Sequence, residues 1–236
     1  MLSKKIEPMQ TNSAIHILTS AIIAYLCFAA VQFFVWKKGG LHFTSATDAT
    51  GRKANLILQI CGILIFIGAG TIWQVSVNTN GQQSEMLQMP QGLPLWPIAI
   101  LACATAATGI MIARKQIRMK TPSDGPSPGT WYIYFPLRMI FIILYELFFR
   151  GVLFFATMAL FSVYIAIPVN IVLYYFAHIL GDRKESNGSI LFGLILCAIA
   201  FYYSSFWPAA IVHLALTLSY EIPFAIHSIR HIKQKI

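Results

Sequence analysis

The chain has 236 residues, of which 57% are hydrophobic and 11% charged, and its mean hydropathy is +0.68. These values exclude a soluble globular domain and specify an integral membrane protein. The formal net charge of +9 is dispersed over short loops, so it reports membrane topology and gives no reason to expect nucleic acid as a partner.

An apolar helix of about 20 residues crosses a bilayer. On that measure spans fall near residues 13–36, 54–77, 93–113, 132–161, 163–180, 189–205 and 207–227. The expectation is an all-α polytopic transmembrane bundle of about seven spans, within a range of six to eight, leaving no room for a soluble domain. The first stretch, Ser13 to Trp36, is too long for a signal-peptide core and reads as a retained helix. Lys37, Lys38, Arg52 and Lys53 in the first loop, and Arg114, Lys115, Arg118 and Lys120 in the third, mark the cytoplasmic side; the loop from Asn78 to Gly92 has no Lys or Arg and faces outward. Arg183, Lys184, Arg230, Lys233 and Lys235 also fall on the cytoplasmic side, whereas Lys4 and Lys5 break the pattern. Cys27, Cys61, Cys103 and Cys197 occupy separate apolar stretches and read as small core residues.

Spans one to three, within residues 1–120, carry Gly62, Gly68, Gly70, Ala102, Ala106 and Gly109 and no acidic or basic side chain in their apolar interiors, the pattern of a packing scaffold. Residues 121–130, rich in Pro, Gly and Ser, form the linker to a second part at 131–227, all within one membrane domain. No internal repeat is found, which argues against an inverted-repeat transporter.

The fourth span holds Tyr145-Glu146-Leu147-Phe148-Phe149-Arg150-Gly151. A charge at mid-membrane costs about 2.5 to 3.5 kcal/mol on insertion scales, so it needs a partner or a task. Glu146 and Arg150 stand at i, i+4 and share a face. Downstream come His178, His213, Thr217 and Glu221, the last three on one helical face. Buried imidazoles and carboxylates serve as general bases, metal ligands or proton relays, or else simply satisfy one another between helices. Arg138 is expected to snorkel to the headgroups, Glu221 to pair with a basic residue or to lend its carboxylate to the site, and His16, His42, His227 and His231 to sit at the interface.

These residues resemble a known family. The run 145–154 is similar to the first motif, EExxxR then Gly, of the CPBP intramembrane proteases, the group that includes CAAX prenyl endopeptidases and bacteriocin-processing or self-immunity (Abi-like) proteins. Tyr174-Tyr175-Phe176-Ala177-His178 resembles the second motif, and Trp207-Pro208-Ala209 leading to His213 and Thr217 resembles the third. The resemblance implies a bacterial-type, multi-pass inner-membrane endopeptidase acting on a membrane-associated protein or peptide, with Glu146 and His178 activating water and His213 with Thr217 holding the oxyanion. Two residues depart from the pattern: the first Glu of the pair is Tyr145, and the Asn of the third motif is Thr217. With Tyr145 in that place, the alternative is a catalytically inactive scaffold or an immunity or regulatory protein. One Glu with two His also suits zinc, but no HExxH-type helix is present, so a metal-free mechanism without cofactor is preferred. A proton relay through Glu146, His178 and His213 in a transporter is the weakest reading.

With straight helices at these boundaries, His178 lies about 10 Å to the cytoplasmic side of the midplane and His213 about 6 Å to the outer side. Sharing one water therefore demands either different span boundaries, the favoured explanation, or kinks at Pro168, Pro208 and Pro223.

Overall fold

The computed structural model describes residues 11–44, 49–78, 85–119, 126, 128–181 and 183–235, and all its regular structure is helical. Most of the linker, residues 121–125 and 127, lies outside the described residues, as do Lys4, Lys5 and Lys120. The helices are α1 (Thr11–Lys37), α2 (Ala49–Asn78), α3 (Trp96–Met119), α4 (Pro128–Glu146), α5 (Phe154–Leu160), α6 (Val163–His178), α7 (Arg183–Tyr203) and α8 (Trp207–Lys235). A π-helical turn, Leu147–Leu153, joins α4 to α5. Among the described residues six helical segments are long and apolar enough to cross a membrane, and the protein is a multi-pass membrane protein; α6, with 16 residues, is a shorter apolar helix.

The α4–π–α5 segment is the central member. Over its most apolar window 72% of residues are buried, against 17 to 39% for the other spans, so its neighbours shield it from lipid on most sides. Phe141, Ile142, Tyr145, Phe148, Phe149, Val152 and Leu153 belong to a core shared with Ile17, Tyr25 and Phe28 of α1, Leu58 and Phe66 of α2, and Tyr174 of α6. The small residues expected to let helices approach do so unequally. A methyl group at Gly62 would meet the Phe141 ring and one at Gly109 the α8 backbone at Leu216, whereas Gly68 faces open space.

The two ends of the bundle are stitched differently. At one end His42, in the α1–α2 loop, pairs with Glu185 of α7 at 3.2 Å, and Asn55 of α2 donates to the carbonyls of Gly40 and Leu41 at 2.9 and 2.8 Å. This end holds Lys37, Lys38, Arg183 and Lys184, so the charge rule places it in the cytoplasm. At the other end a 3₁₀ turn, Glu85–Leu87, caps the α7–α8 connection: Trp207 Nε1 donates to the Leu87 carbonyl at 2.8 Å, Ser205 Oγ to that of Gln88 at 2.7 Å, and the Tyr203 hydroxyl to that of Pro94 at 2.7 Å. Met86 is buried beneath that cap, in reach of Gly151.

Three local expectations need correction. Cys27 and Cys103 are exposed on the outer surface of their helices, Cys61 is half-buried and only Cys197 is a core residue, because an apolar thiol is as well accommodated against hydrocarbon as inside a bundle. His42 is not a plain interfacial residue, since it holds Glu185. Arg138 does not snorkel: its Nε donates to Glu221 Oε1 at 3.0 Å, tying α4 to α8. That pair absorbs Glu221, which leaves it no place beside Glu146. Removing one member of a largely buried pair strands the other charge. Arg138→Met is therefore expected to destabilise the protein by about 2 to 3 kcal/mol, below the ~3–5 of a fully buried pair because the arginine is partly exposed. The double variant Arg138→Met/Glu221→Leu should recover most of that loss, as read by thermal unfolding of the detergent-solubilised protein in a double-mutant cycle.

Candidate active site

Glu146 is the last residue of α4 and immediately precedes the π turn. A π turn closes i→i+5 hydrogen bonds and holds one residue more than an α turn, so it changes the rotational phase of the helix before it against the helix after it. Here the Phe154 N–H reaches back to the Phe149 carbonyl. Glu146 and Arg150 are both fully buried, and Arg150 Nη1 lies 3.3 Å from each carboxylate oxygen. The guanidinium also sits 4.0 Å over the Tyr174 ring. Its Nε and Nη2 lack hydrogen-bond partners among the described residues, so the cation is held by the carboxylate and the aromatic face. Gly193 of α7 leaves room for this arrangement, as a methyl group there would come within 3.1 Å of Tyr174 and 3.5 Å of Arg150 Nη2.

The second partner of Glu146 comes from α8. His213 Nδ1 is 2.5 Å from Glu146 Oε1. A carboxylate oxygen accepts, so Nδ1 carries the proton and Nε2 is left as the basic nitrogen. His178, the last residue of α6, is fixed in the same sense: its Nδ1 lies 2.8 Å from the Tyr174 carbonyl, which can only accept. Each imidazole thus has its Nε2 lone pair available to a substrate or a water.

Tyr145 stands between the two imidazoles. Its ring centroid is 6.3 Å from that of His178 and 6.1 Å from that of His213, edge-on to both. Phe28, Phe66, Phe141, Phe149 and Tyr174 surround the rest of the ring at 4.6 to 6.1 Å. Tyr145, His178 and His213 line a cavity of about 90 Å³ whose wall continues through Gln32, Ile142 and Arg138 to His42 and Glu185 at the basic end of the bundle. The cavity therefore joins the imidazoles to the side that the charge rule makes cytoplasmic.

The depth mismatch expected for His178 and His213 does not arise, although the observed boundaries alone would enlarge it, since α6 ends at His178 against the expected 180 and α8 runs to Lys235 against 227. A helix of 16 residues is only about 24 Å long, short of the roughly 30 Å hydrocarbon thickness, so α6 is not bound to be centred on the midplane as a full span is. Meanwhile α7 begins at Arg183, ahead of the expected residue 189. Both histidines meet the same tyrosine.

Among the expected site residues, Glu146, Arg150 and His213 form one contiguous group, and Tyr145 brings His178 beside it. Thr217 is buried one turn along α8 but does not line the cavity, and neither does Glu146, whose carboxylate is enclosed by Arg150 and His213. Among the described residues no three His, Cys, Asp or Glu side chains cluster as metal ligands. Glu146 is engaged by His213 and Arg150, so these donors do not fit a three-ligand zinc site of the usual kind and no step is routed through a metal.

Sequence reading passed over Gln32 of α1, whose Nε2 donates to the Ala177 carbonyl at 2.6 Å beside the cavity, and Tyr25, whose hydroxyl donates to the Leu173 carbonyl at 3.0 Å. It also passed over Asn170 of α6. All three are uncharged, and attention to charge alone misses them. An amide inside an apolar helix is nevertheless a visible signal, because a buried polar group is normally bonded.

Residues 127–219 match the family model described as Type II CAAX prenyl endopeptidase Rce1-like. Comparison with curated proteins and with solved structures gives no match.

Proposed function

We propose that the segment at residues 127–219, a member of the CPBP/CAAX protease family by its match, makes this protein an intramembrane endopeptidase that hydrolyses a peptide bond of a membrane-associated protein or peptide. The observation that supports this most directly is the meeting of the three motifs: Glu146 of the first bonds His213 of the third, and Tyr145 contacts both His213 and His178 of the second, beside a cavity. In this reading Glu146 fixes the tautomer and orientation of His213, as an acid does for the imidazole of a hydrolytic dyad. His213 Nε2 takes the proton of the attacking water and, so protonated, gives that proton to the leaving amine, while His178 Nε2 accepts a hydrogen bond from the same water and holds it for attack. The Tyr145 hydroxyl, which has no hydrogen-bond partner among the described residues, donates to the oxyanion. Arg150, 3.3 Å from the Glu146 carboxylate, compensates its charge in the low-dielectric interior. The division differs from the family expectation, in which Glu146 itself would activate water, because its carboxylate does not line the cavity.

The test is cleavage of two quenched fluorescent peptides ending in Cys-aliphatic-aliphatic-X, one farnesylated and one not, by the purified full chain in lipid nanodiscs. His178→Ala removes a base that makes no bond to Glu146 and should lower kcat/KM by about 10²-fold or more, with thermal stability little changed. Full activity in that variant would sink the assignment.

One observation favours the second reading, a catalytically inactive scaffold or an immunity or regulatory protein: the cavity wall presents Tyr145 where the family motif has its first Glu, and the carboxylate that bonds His213, that of Glu146, does not line that wall. Substitutions at Tyr145 separate the two.

A further inference from the structure

Asn170 is an amide in the middle of the apolar helix α6, and it is 1% exposed. Its Nδ2 donates to the Phe149 carbonyl at 2.6 Å. That carbonyl lies inside the π turn and already accepts the i+5 bond from the Phe154 N–H, so both of its lone pairs are used. The amide is itself held: Cys197 Sγ of α7 donates to Asn170 Oδ1 at 3.3 Å, which fixes which way round the amide points. Three helices are thus pinned at one carbonyl of the segment directly after Glu146.

The π register matters because of what stands on either side of it. Residues after the turn, Phe154 to Thr157, are buried and fixed by packing. Tyr145 and Glu146 stand before it. Reverting the turn to an α register would rotate the two sides against each other by about 100°, the angle of one residue. That rotation would carry Glu146 away from His213 and turn the Tyr145 ring away from both imidazoles.

We infer that Asn170 is a positioning residue for the Glu146–His213 pair, acting by holding the π turn through the Phe149 carbonyl. It touches neither the cavity nor the imidazoles. Its catalytic consequence rests on the protease reading, whereas its geometric consequence does not.

The experiment reads geometry first. In the full-length, histidine-labelled protein in nanodiscs, the short His213 Nδ1–H···Glu146 bond gives a low-field proton resonance, assigned by its absence in His213→Gln. Asn170→Leu, of similar volume and without a donor, should lose or shift that resonance upfield. Asn170→Val, likewise without a donor, should do the same. Cys197→Ala, a mild change that frees the amide to flip, should weaken the resonance in a folded protein, and Cys197→Ser, which keeps a donor, should leave it in place. With either peptide substrate, the Asn170 variants should lose about 10²-fold in kcat, as expected for a displacement of about 1 Å, with KM held within about twofold. A wild-type resonance in any folded Asn170 variant overturns the inference. A lost resonance in a protein whose wild type cleaves neither peptide sinks the protease reading and leaves this one standing.

Discussion

Replacing Glu146 by Gln is expected to abolish cleavage and to destabilise the protein at the same time. The first effect arises from the dyad. Without the carboxylate, His213 loses the acceptor-only partner that fixes its tautomer, because an amide can present a donor in its place. Loss of an orienting carboxylate from a hydrolytic imidazole costs about three to four orders of magnitude in turnover. The second effect arises from Arg150, which is fully buried and has its one counter-charge in Glu146 among the described residues. A stranded buried cation costs about 3 to 5 kcal/mol. The two effects separate in Glu146→Gln/Arg150→Met, which removes the stranded charge and should recover most of the melting temperature while leaving the protein inactive. Recovery of cleavage in that double variant would mean that Glu146 serves only as the partner of Arg150, and the dyad would have to be abandoned.

Tyr145→Glu is the second large effect, and its sign decides between the two functional readings. The substitution restores the family's missing carboxylate at a side chain that lines the cavity between His178 and His213. If Tyr145 blocks an otherwise intact hydrolytic site, a base placed there should raise cleavage by about 10²-fold, the usual worth of a positioned general base. That outcome, from a wild type with no measurable activity, establishes the inactive scaffold. If Tyr145 instead stabilises the oxyanion, Tyr145→Glu should lower the rate, and Tyr145→Phe, which keeps the ring packing and removes only the hydroxyl, should lower kcat by about 10²- to 10³-fold. Unchanged cleavage in Tyr145→Phe would remove the hydroxyl from the mechanism. Tyr145→Glu also forfeits contacts with the surrounding rings, so the Phe variant is the control for packing.

The membrane class, the helical architecture and the charged groups that must be compensated inside the bundle are all legible in the sequence, for one physical reason. In hydrocarbon the backbone must bond internally and an ionisable group must be compensated, so apolar length announces a helix and a charge within it announces a site. Glu146 and Arg150 are recognisable on that ground alone, and their i, i+4 pairing is a local property that survives in the fold. His178 and His213 are recognisable as suspicious groups, but their convergence on Tyr145 is not, because it depends on where the short helix α6 sits relative to α4 and α8, which packing decides.

Direction, by contrast, belongs to the folded bundle. Apolar periodicity carries no signal for a π turn, since a phase shift of one residue within Leu147–Leu153 leaves the composition of the run unchanged. Yet that shift stands directly between Glu146 and the packed residues beyond it, and it accompanies a carboxylate turned toward Arg150 and His213 with Tyr145 turned to the cavity. The pairing of Arg138 with Glu221 is likewise hidden in the linear chain, because it joins residues 83 apart and each alone is explained as well by a headgroup as by a partner. Residue order alone dictates which groups must be compensated inside the membrane, a matter of solvation free energy. Which group compensates which, and which faces the cavity, depends on helix rotation and depth, and these are set by long-range packing that no local pattern encodes.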